Sequence, residues 1–188
     1  MQAEFFKEGK NVAYLDQFII PYYGLKPGWH HYDFEIEDAF FEAFEYSEIH
    51  KGKIMISVDL EKQERMFILH FDIKGILSIP CDRCLDDYDQ YIEGKEQLII
   101  KLGNARREDA HDILVIPENE HSFNISPFIY EYLVLLLPAR RVHPDDENGN
   151  STCNPEVLAI LEKLRYQPKT DPRWEGLNQL KNDHNNTN

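Results

Sequence analysis

This 188-residue chain predicts an α+β fold: a bent or barrel-like antiparallel sheet covered by a buried apolar helix, with two further C-terminal helices. Three observations carry that expectation. Period-two alternation recurs at Ile54, Ile56, Val58 and Leu60 and again at Phe67, Leu69, Phe71 and Ile73, and the short connections between such runs favour antiparallel neighbours. A run from Phe128 to Leu137 is apolar on nearly every face and lies between Pro127 and Pro138. Beyond Asn154 the apolar residues fall at helical spacing.

Residues 1–31 mix aromatics, Gly24, Gly28 and two prolines without period, and are expected to form an extended N-terminal segment. A single α+β domain is expected over 32–182, followed by a solvated, disordered tail at 183–188. Phe34 and Ile36 open the strand pattern, and Phe40-Phe41 breaks its phase as a bulge or bend would. After the two strongest strands, Gly75 is expected to reset the phase ahead of Ile76 to Ile79. Weaker strands follow at 88–92, 97–102 and 113–116. Ser126-Pro127 reads as N-cap and first position of the apolar helix, which Pro138 stops. A helix that apolar requires burial, and the open face of the sheet is the surface available. Residues 143–154 form a polar loop. Asn154-Pro155-Glu156 then opens a second helix with Val157, Leu158, Leu161 and Leu164 on one side. Asp171-Pro172 opens a third, carrying Trp174, Leu177 and Leu180.

Charge narrows the function. The formal net charge is −14, which opposes indiscriminate binding to a phosphate backbone or an anionic membrane, since both rest on Lys and Arg. Residues 1–100 carry 10 basic and 20 acidic side chains, and 33–48 hold seven acids with no Lys or Arg. That window is read first as a solvated strand face and second as a dock for a basic partner. The start lacks a basic region followed by an apolar stretch. The longest apolar run, Tyr132 to Leu137, is far short of a membrane span, and three cysteines do not suggest a disulfide framework. A cytoplasmic protein is expected, with no membrane and no DNA among its partners.

Cys81-Asp82-Arg83-Cys84 follows a strand ending in Pro80, and two thiols at this spacing in a turn can face one point, as half of a tetrahedral zinc site requires. Cys153 and His143, ten residues apart in the polar loop, are the candidates for the other half. Such a Cys3His site would be a structural clip, because four protein ligands leave no position for substrate. Reduced thiols in a packed turn and a redox pair are the other readings of the same residues. The chain has no glycine-rich phosphate loop, no Gly-x-Ser-x-Gly and no His-Glu-x-x-His, so an enzyme is not expected. His30, His31 and His111 read as surface or loop side chains. Arg83, Arg140, Arg141, Arg173 and Trp174 are the candidate contacts to a partner or to RNA, since an arginine beside an aromatic can bind phosphate or stack on a base.

Four motifs in order carry a resemblance: the Cys81 to Cys84 turn, the helix from Glu131 to Leu135-Leu136-Leu137-Pro138, the His143–Cys153 pair, and Asp171-Pro172-Arg173-Trp174 continuing to Lys181. Over residues 32–181 the chain resembles the bacterial YceD-like family, the large ribosomal RNA subunit accumulation proteins. The resemblance implies a non-enzymatic factor supporting synthesis, processing or stability of 23S ribosomal RNA, in contact with a ribosomal protein or a large-subunit assembly intermediate. Its matched positions are Cys81, Arg83, Cys84, Glu131, His143, Cys153, Asp171, Pro172 and Arg173. Relatives carry a cysteine-rich stretch after the apolar helix where this chain has Cys153 alone, so the ligand set left by the resemblance is Cys3His. The competing readings are an acidic interaction adaptor unrelated to ribosomes and a zinc-dependent enzyme.

Overall fold

The structure is a computed structural model that describes residues 12–110 and 113–165. A short helix α1 (Val12–Leu15) and one 3-10 turn lead into β1 (Ile19–Pro21), followed by β2 (Gly28–Ile36) and a five-residue helix α2 (Asp38–Glu42). Three long strands form the centre: β3 (Lys51–Lys62), β4 (Met66–Pro80) and β5 (Asp87–Gly103). Then come β6 (Arg107–Ala110), β7 (Ile113–Pro117), β8 (Ser122–Asn124), α3 (Ser126–Leu135) and α4 (Pro155–Leu164).

The main sheet runs β2-β3-β4-β5-β7-β6, and β1 pairs separately with β8. The fold is α+β as expected, but the sheet differs in two respects. It is mixed, because β5 and β7 pair in parallel. It is also open: β2 and β6 lie at opposite edges, and the four-residue β6 is spent on its antiparallel partner β7 instead of closing onto β2.

Alternation explains the layers. Odd-numbered residues of β4 from Phe67 to Ile73 are buried, and Leu77 and Ile79 continue the same row, so Gly75 does not reset the phase. Gly75 sits in the core row opposite Ile54 and Ile92, and a Cβ there would collide with the Lys53 carbonyl oxygen and lie 2.7 Å from Ile54 Cα. Strand pairing this close at Gly75 needs glycine. The two weaker strands at 88–92 and 97–102 are parts of the single 17-residue β5. Phe40 and Phe41 do not bulge a strand either. They lie in α2, buried side by side with ring centroids 5.5 Å apart.

The core lies on one face of the sheet. Phe18, Ile20 and Tyr22, from the N-terminal segment, are buried there together with Phe123, Ile125 and Phe128. Lys62 Nζ donates to the Tyr22 and Leu25 carbonyls at 2.8 Å each, tying that segment to the end of β3. The helix α3 buries Phe128, Ile129, Tyr132 and Leu133 while Leu135 is 72% exposed, so only one side of this apolar helix is covered. Tyr132 stands against Phe71 at 5.2 Å between ring centroids and donates its hydroxyl to the Gln97 carbonyl. Ser126 is not the cap: Ile125 holds that position, the Asn124 side chain accepts from the Ser126 N–H at 2.9 Å, and Ser126 Oγ is buried without a partner. In α4 the cap is as expected, with the Asn154 side chain accepting from Glu156 N–H at 3.0 Å and Pro155 following. Val157 and Leu158 pack on the core, whereas Leu161 and Leu164 are exposed among the described residues. The third expected helix and the tail lie outside the described residues.

Candidate metal centre

The β4–β5 hairpin ends at the Pro80–Asp87 pair, and six residues cross from one strand to the other. Cys81 N–H donates to the Asp86 carbonyl at 3.0 Å and Leu85 N–H to the Cys81 carbonyl at 2.9 Å, which winds the crossing into a tight knuckle. Leu85 closes it at φ +65°, a left-handed conformation unusual for a branched side chain. The winding turns Cys81 and Cys84 inward, and the Arg83 N–H reaches Cys81 Sγ at 3.4 Å.

A second segment is strapped to this knuckle. Asp82 N–H donates to the Arg141 carbonyl at 2.6 Å, Arg141 N–H returns to Asp82 Oδ2 at 2.8 Å, and two residues later His143 faces the thiols. The loop that follows closes on itself. Asp146 Oδ1 accepts from the Asn148 and Asn150 N–H groups, Gly149 takes φ +79°, Asp145 and Ser151 bridge, and Thr152 Oγ1 donates to the Pro144 carbonyl at 2.6 Å. Those bonds hold the Asp146 carboxyl below its usual range, the Asn150 N–H first among them. The closed loop returns the chain beside its start, so Cys153 sits next to His143. Arg83 Nη1 donates to Ser151 Oγ at 3.0 Å and Asn154 Nδ2 to Asp86 Oδ2 at 3.2 Å, completing the attachment.

The four donor atoms of Cys81, Cys84, His143 and Cys153 all lie within 4.8 Å of one another. Cys81 Sγ and Cys153 Sγ are 3.7 Å apart, and Cys84 Sγ is 3.5 Å from His143 Nδ1. All three cysteines are free and buried, and Tyr88 covers the imidazole with ring centroids at 5.1 Å. Burial pushes the Cys81 thiol up, but the backbone N–H groups of Cys84 and Arg83, with help from His143, bring it down to about 6. Burial raises Cys84 instead, and the neighbouring Cys81 and Cys153 sulfurs raise it further. One sulfur of the group thus carries its charge more readily than the other.

The candidate contact residues fall in three places. Arg83 is half-buried against Ser151. Arg141 pairs with Glu48 at 3.2 Å and Asp82 at 3.6 Å, and Arg140 is exposed beside it. Arg173 and Trp174 lie outside the described residues. Much of the acidic window is engaged within the fold: Glu35 pairs with Lys53, Asp38 accepts from the Gly52 N–H, and Glu48 holds Arg141. Sequence reading missed the Asp82–Arg141 strap, Ser151 and Tyr88. Its usable signal was Asp146 to Asn150, whose Asn-Gly step marks a turn.

The family model described as "Large ribosomal RNA subunit accumulation protein YceD" matches residues 69–181. That span starts within β4, later than the motif resemblance, and contains all four donor residues. No curated protein and no solved structure matches the chain.

Proposed function

The chain belongs to the YceD family of large ribosomal RNA subunit accumulation proteins, and from that premise we propose that it is a cytoplasmic, non-enzymatic factor supporting synthesis, processing or stability of bacterial 23S ribosomal RNA. The family match, over more than half of the chain, carries this reading. Two physical features support it. Four protein side chains supply the donors of the one Cys/His cluster found among the described residues, and a metal held by all four would have no open position for a substrate. The net charge of −14 keeps the protein off RNA at large, so contact goes through a local surface or through a ribosomal protein. Arg83 and Arg140, at the knuckle and beside its strap, are the described arginines proposed for that contact, with Arg173 and Trp174 as the C-terminal ones. Among the described residues no helix is long and apolar enough to cross a membrane.

The test is the ratio of large- to small-subunit ribosomal RNA in cells lacking the protein. A selective loss of the large-subunit RNA or its precursors is expected. An unchanged ratio, in the cold as well, overturns the proposal. Complementation with Arg83→Glu and Arg140→Glu, each checked for unchanged thermal stability, then tests the contact surface; full rescue by both would discard it.

A further inference from the structure

We infer that the free edge of β2 is a docking strand for an extended segment of a partner protein in which Lys or Arg alternates with apolar residues. The inference names the chemistry of a partner and rests on the geometry of the sheet. Its failure and the failure of the ribosomal role are therefore read in separate experiments.

The backbone pairing shows which groups are free. Gln63 N–H donates to the Met66 carbonyl at 2.9 Å, so the β3–β4 hairpin bonds through the odd-numbered residues of β3. The even-numbered residues from Ile54 to Lys62 then bond to β2, where their partners are Ile36, Phe34, Tyr32, His30 and Gly28. Trp29, His31, Asp33 and Glu35 therefore turn their N–H and C=O groups away from the sheet. The Glu35 carbonyl agrees with this, since it accepts from the Tyr14 hydroxyl at 3.4 Å. Among the described residues no hydrogen bond reaches the outward main chain of Trp29, His31 or Asp33.

The two edges of the sheet differ. The strand β6 is four residues long and its register shifts between Glu108 and Ala110, two ways in which sheets blunt an edge. The strand β2 is nine residues long, pairs without a shift and holds no proline, so its edge can accept another strand.

The two faces of β2 say which strand fits. On the core side Ile54, Ile56, Val58 and Leu60 of β3 are buried, but Tyr32 and Phe34 beside them are only half-buried, their rings stacked at 6.3 Å. Alternate apolar residues of an added strand would extend that layer. On the wet side Asp33 and Glu35 share a face with Asp59 and Glu61 of β3. Lys53 answers Glu35, and one histidine, His31, is shared by Asp33 and Asp59, so the face stays acidic. The other alternate set of the added strand is therefore basic. A second copy of this chain is the poorer occupant, because antiparallel pairing of β2 with itself sets the acidic row against its twin.

The experiment uses the full-length purified protein and a capped nine-residue peptide of alternating Lys and Val. NMR titration should show saturable binding, with amide exchange at Trp29, His31 and Asp33 slowed roughly tenfold or more and that at Tyr32 and Phe34 little changed. Of two further peptides, one N-methylated on every Lys and one on every Val, a single one should bind roughly tenfold or more weakly, since only one set of N–H groups faces β2. Asp33→Lys, checked for unchanged thermal stability, should weaken binding, and a peptide of alternating Glu and Val should not bind. Equal affinities of the two methylated peptides would reduce the contact to charge attraction and overturn edge pairing. Binding unaffected by Asp33→Lys overturns the basic partner. Slow exchange at Trp29, His31 and Asp33 before any peptide is added would mean that residues 1–11 or a second copy already hold the edge, and overturns the docking role, as does a failure of the Lys–Val peptide to bind.

Discussion

The central sheet and the knuckle region are held by different physics. In β3, β4 and β5, rung after rung places an apolar side chain on the core face, as where Leu60, Leu69 and Leu98 stand abreast and are fully buried. Each core residue there adds its own increment of buried area to one shared core. Around Cys81 the attachment comes from a few polar groups and from four metal-type donors shared between the knuckle and the loop strapped to it. A distributed region tolerates polar change on its outer face and is sensitive in its core. A point-fastened region behaves the opposite way.

The largest expected effect lies in the sheet. Leu69→Ala should cost about 2–5 kcal/mol of global stability, read from the midpoint of urea unfolding, because the surrounding strands cannot collapse into the vacated volume. Leu158→Ala, the same truncation on the half-covered α4, should cost less than about 1 kcal/mol in the same assay. Equal costs would mean that α4 belongs to the distributed core after all. Next comes Gly75→Ala, where the new methyl meets the backbone of Lys53 and Ile54 and should cost about 1–3 kcal/mol. Gly94→Ala should cost clearly less, since the new methyl meets the flexible end of Leu136. A reversed order would show that the strands, not the side chain, give way.

The same contrast explains what was legible in the sequence. Alternation at Ile54–Leu60 and Phe67–Ile73 is visible because one face is buried and the other wet, and those strands came out as read. The unity of β5 was hidden because its core face is not apolar throughout: Gly94 and Glu96 interrupt it, and Leu136 from beyond α3 fills the space at Gly94. Parallel pairing of β5 with β7 depends on where the short β6 turns back, and period-two patterns are silent on pairing direction. Of the candidate centre, the Cys-x-x-Cys turn and its grouping with His143 and Cys153 were legible as a candidate set, and the fold brings those four donors together. The contacts that bring them together were not legible, because they depend on Asp82 meeting Arg141 and on Asp146 closing its loop, both set by tertiary structure.

Asn154 tests the point-fastened region at smaller cost. It caps α4 and also reaches Asp86, so Asn154→Ala should lose about 0.5–2 kcal/mol. The loss should appear as faster amide exchange in residues 155–164, with little change in the unfolding midpoint of the sheet. A drop in global stability without local fraying would count against separate fastening.

The smallest effect belongs to the outer face of the sheet, where a second histidine stands in contrast to His143. His31 Nδ1 lies 2.7 Å from Asp59 Oδ1 and Nε2 lies 3.2 Å from Asp33 Oδ2, with Ser57 donating to the other Asp33 oxygen. Across the strand pairing His70 also faces Asp59. The hydrogen bond that the His31 ring donates to the Asp59 carboxylate, and then the Asp33 charge, raise the His31 pKa above 6.5. A folded-state value above the unfolded one means that His31 stabilises fully below about pH 6.5 and that this contribution fades as pH rises through the folded value. The side chain is exposed, so solvent screening keeps the effect small. Titration of the His31 ring by NMR should give a midpoint above that of an ordinary histidine, and Asp59→Asn should lower it. A midpoint at or below the ordinary value would remove the assignment. His31→Gln should leave amide exchange in 142–165 untouched, because on the sheet a polar pair decorates a structure that apolar burial already holds, whereas at the knuckle the polar groups are the attachment.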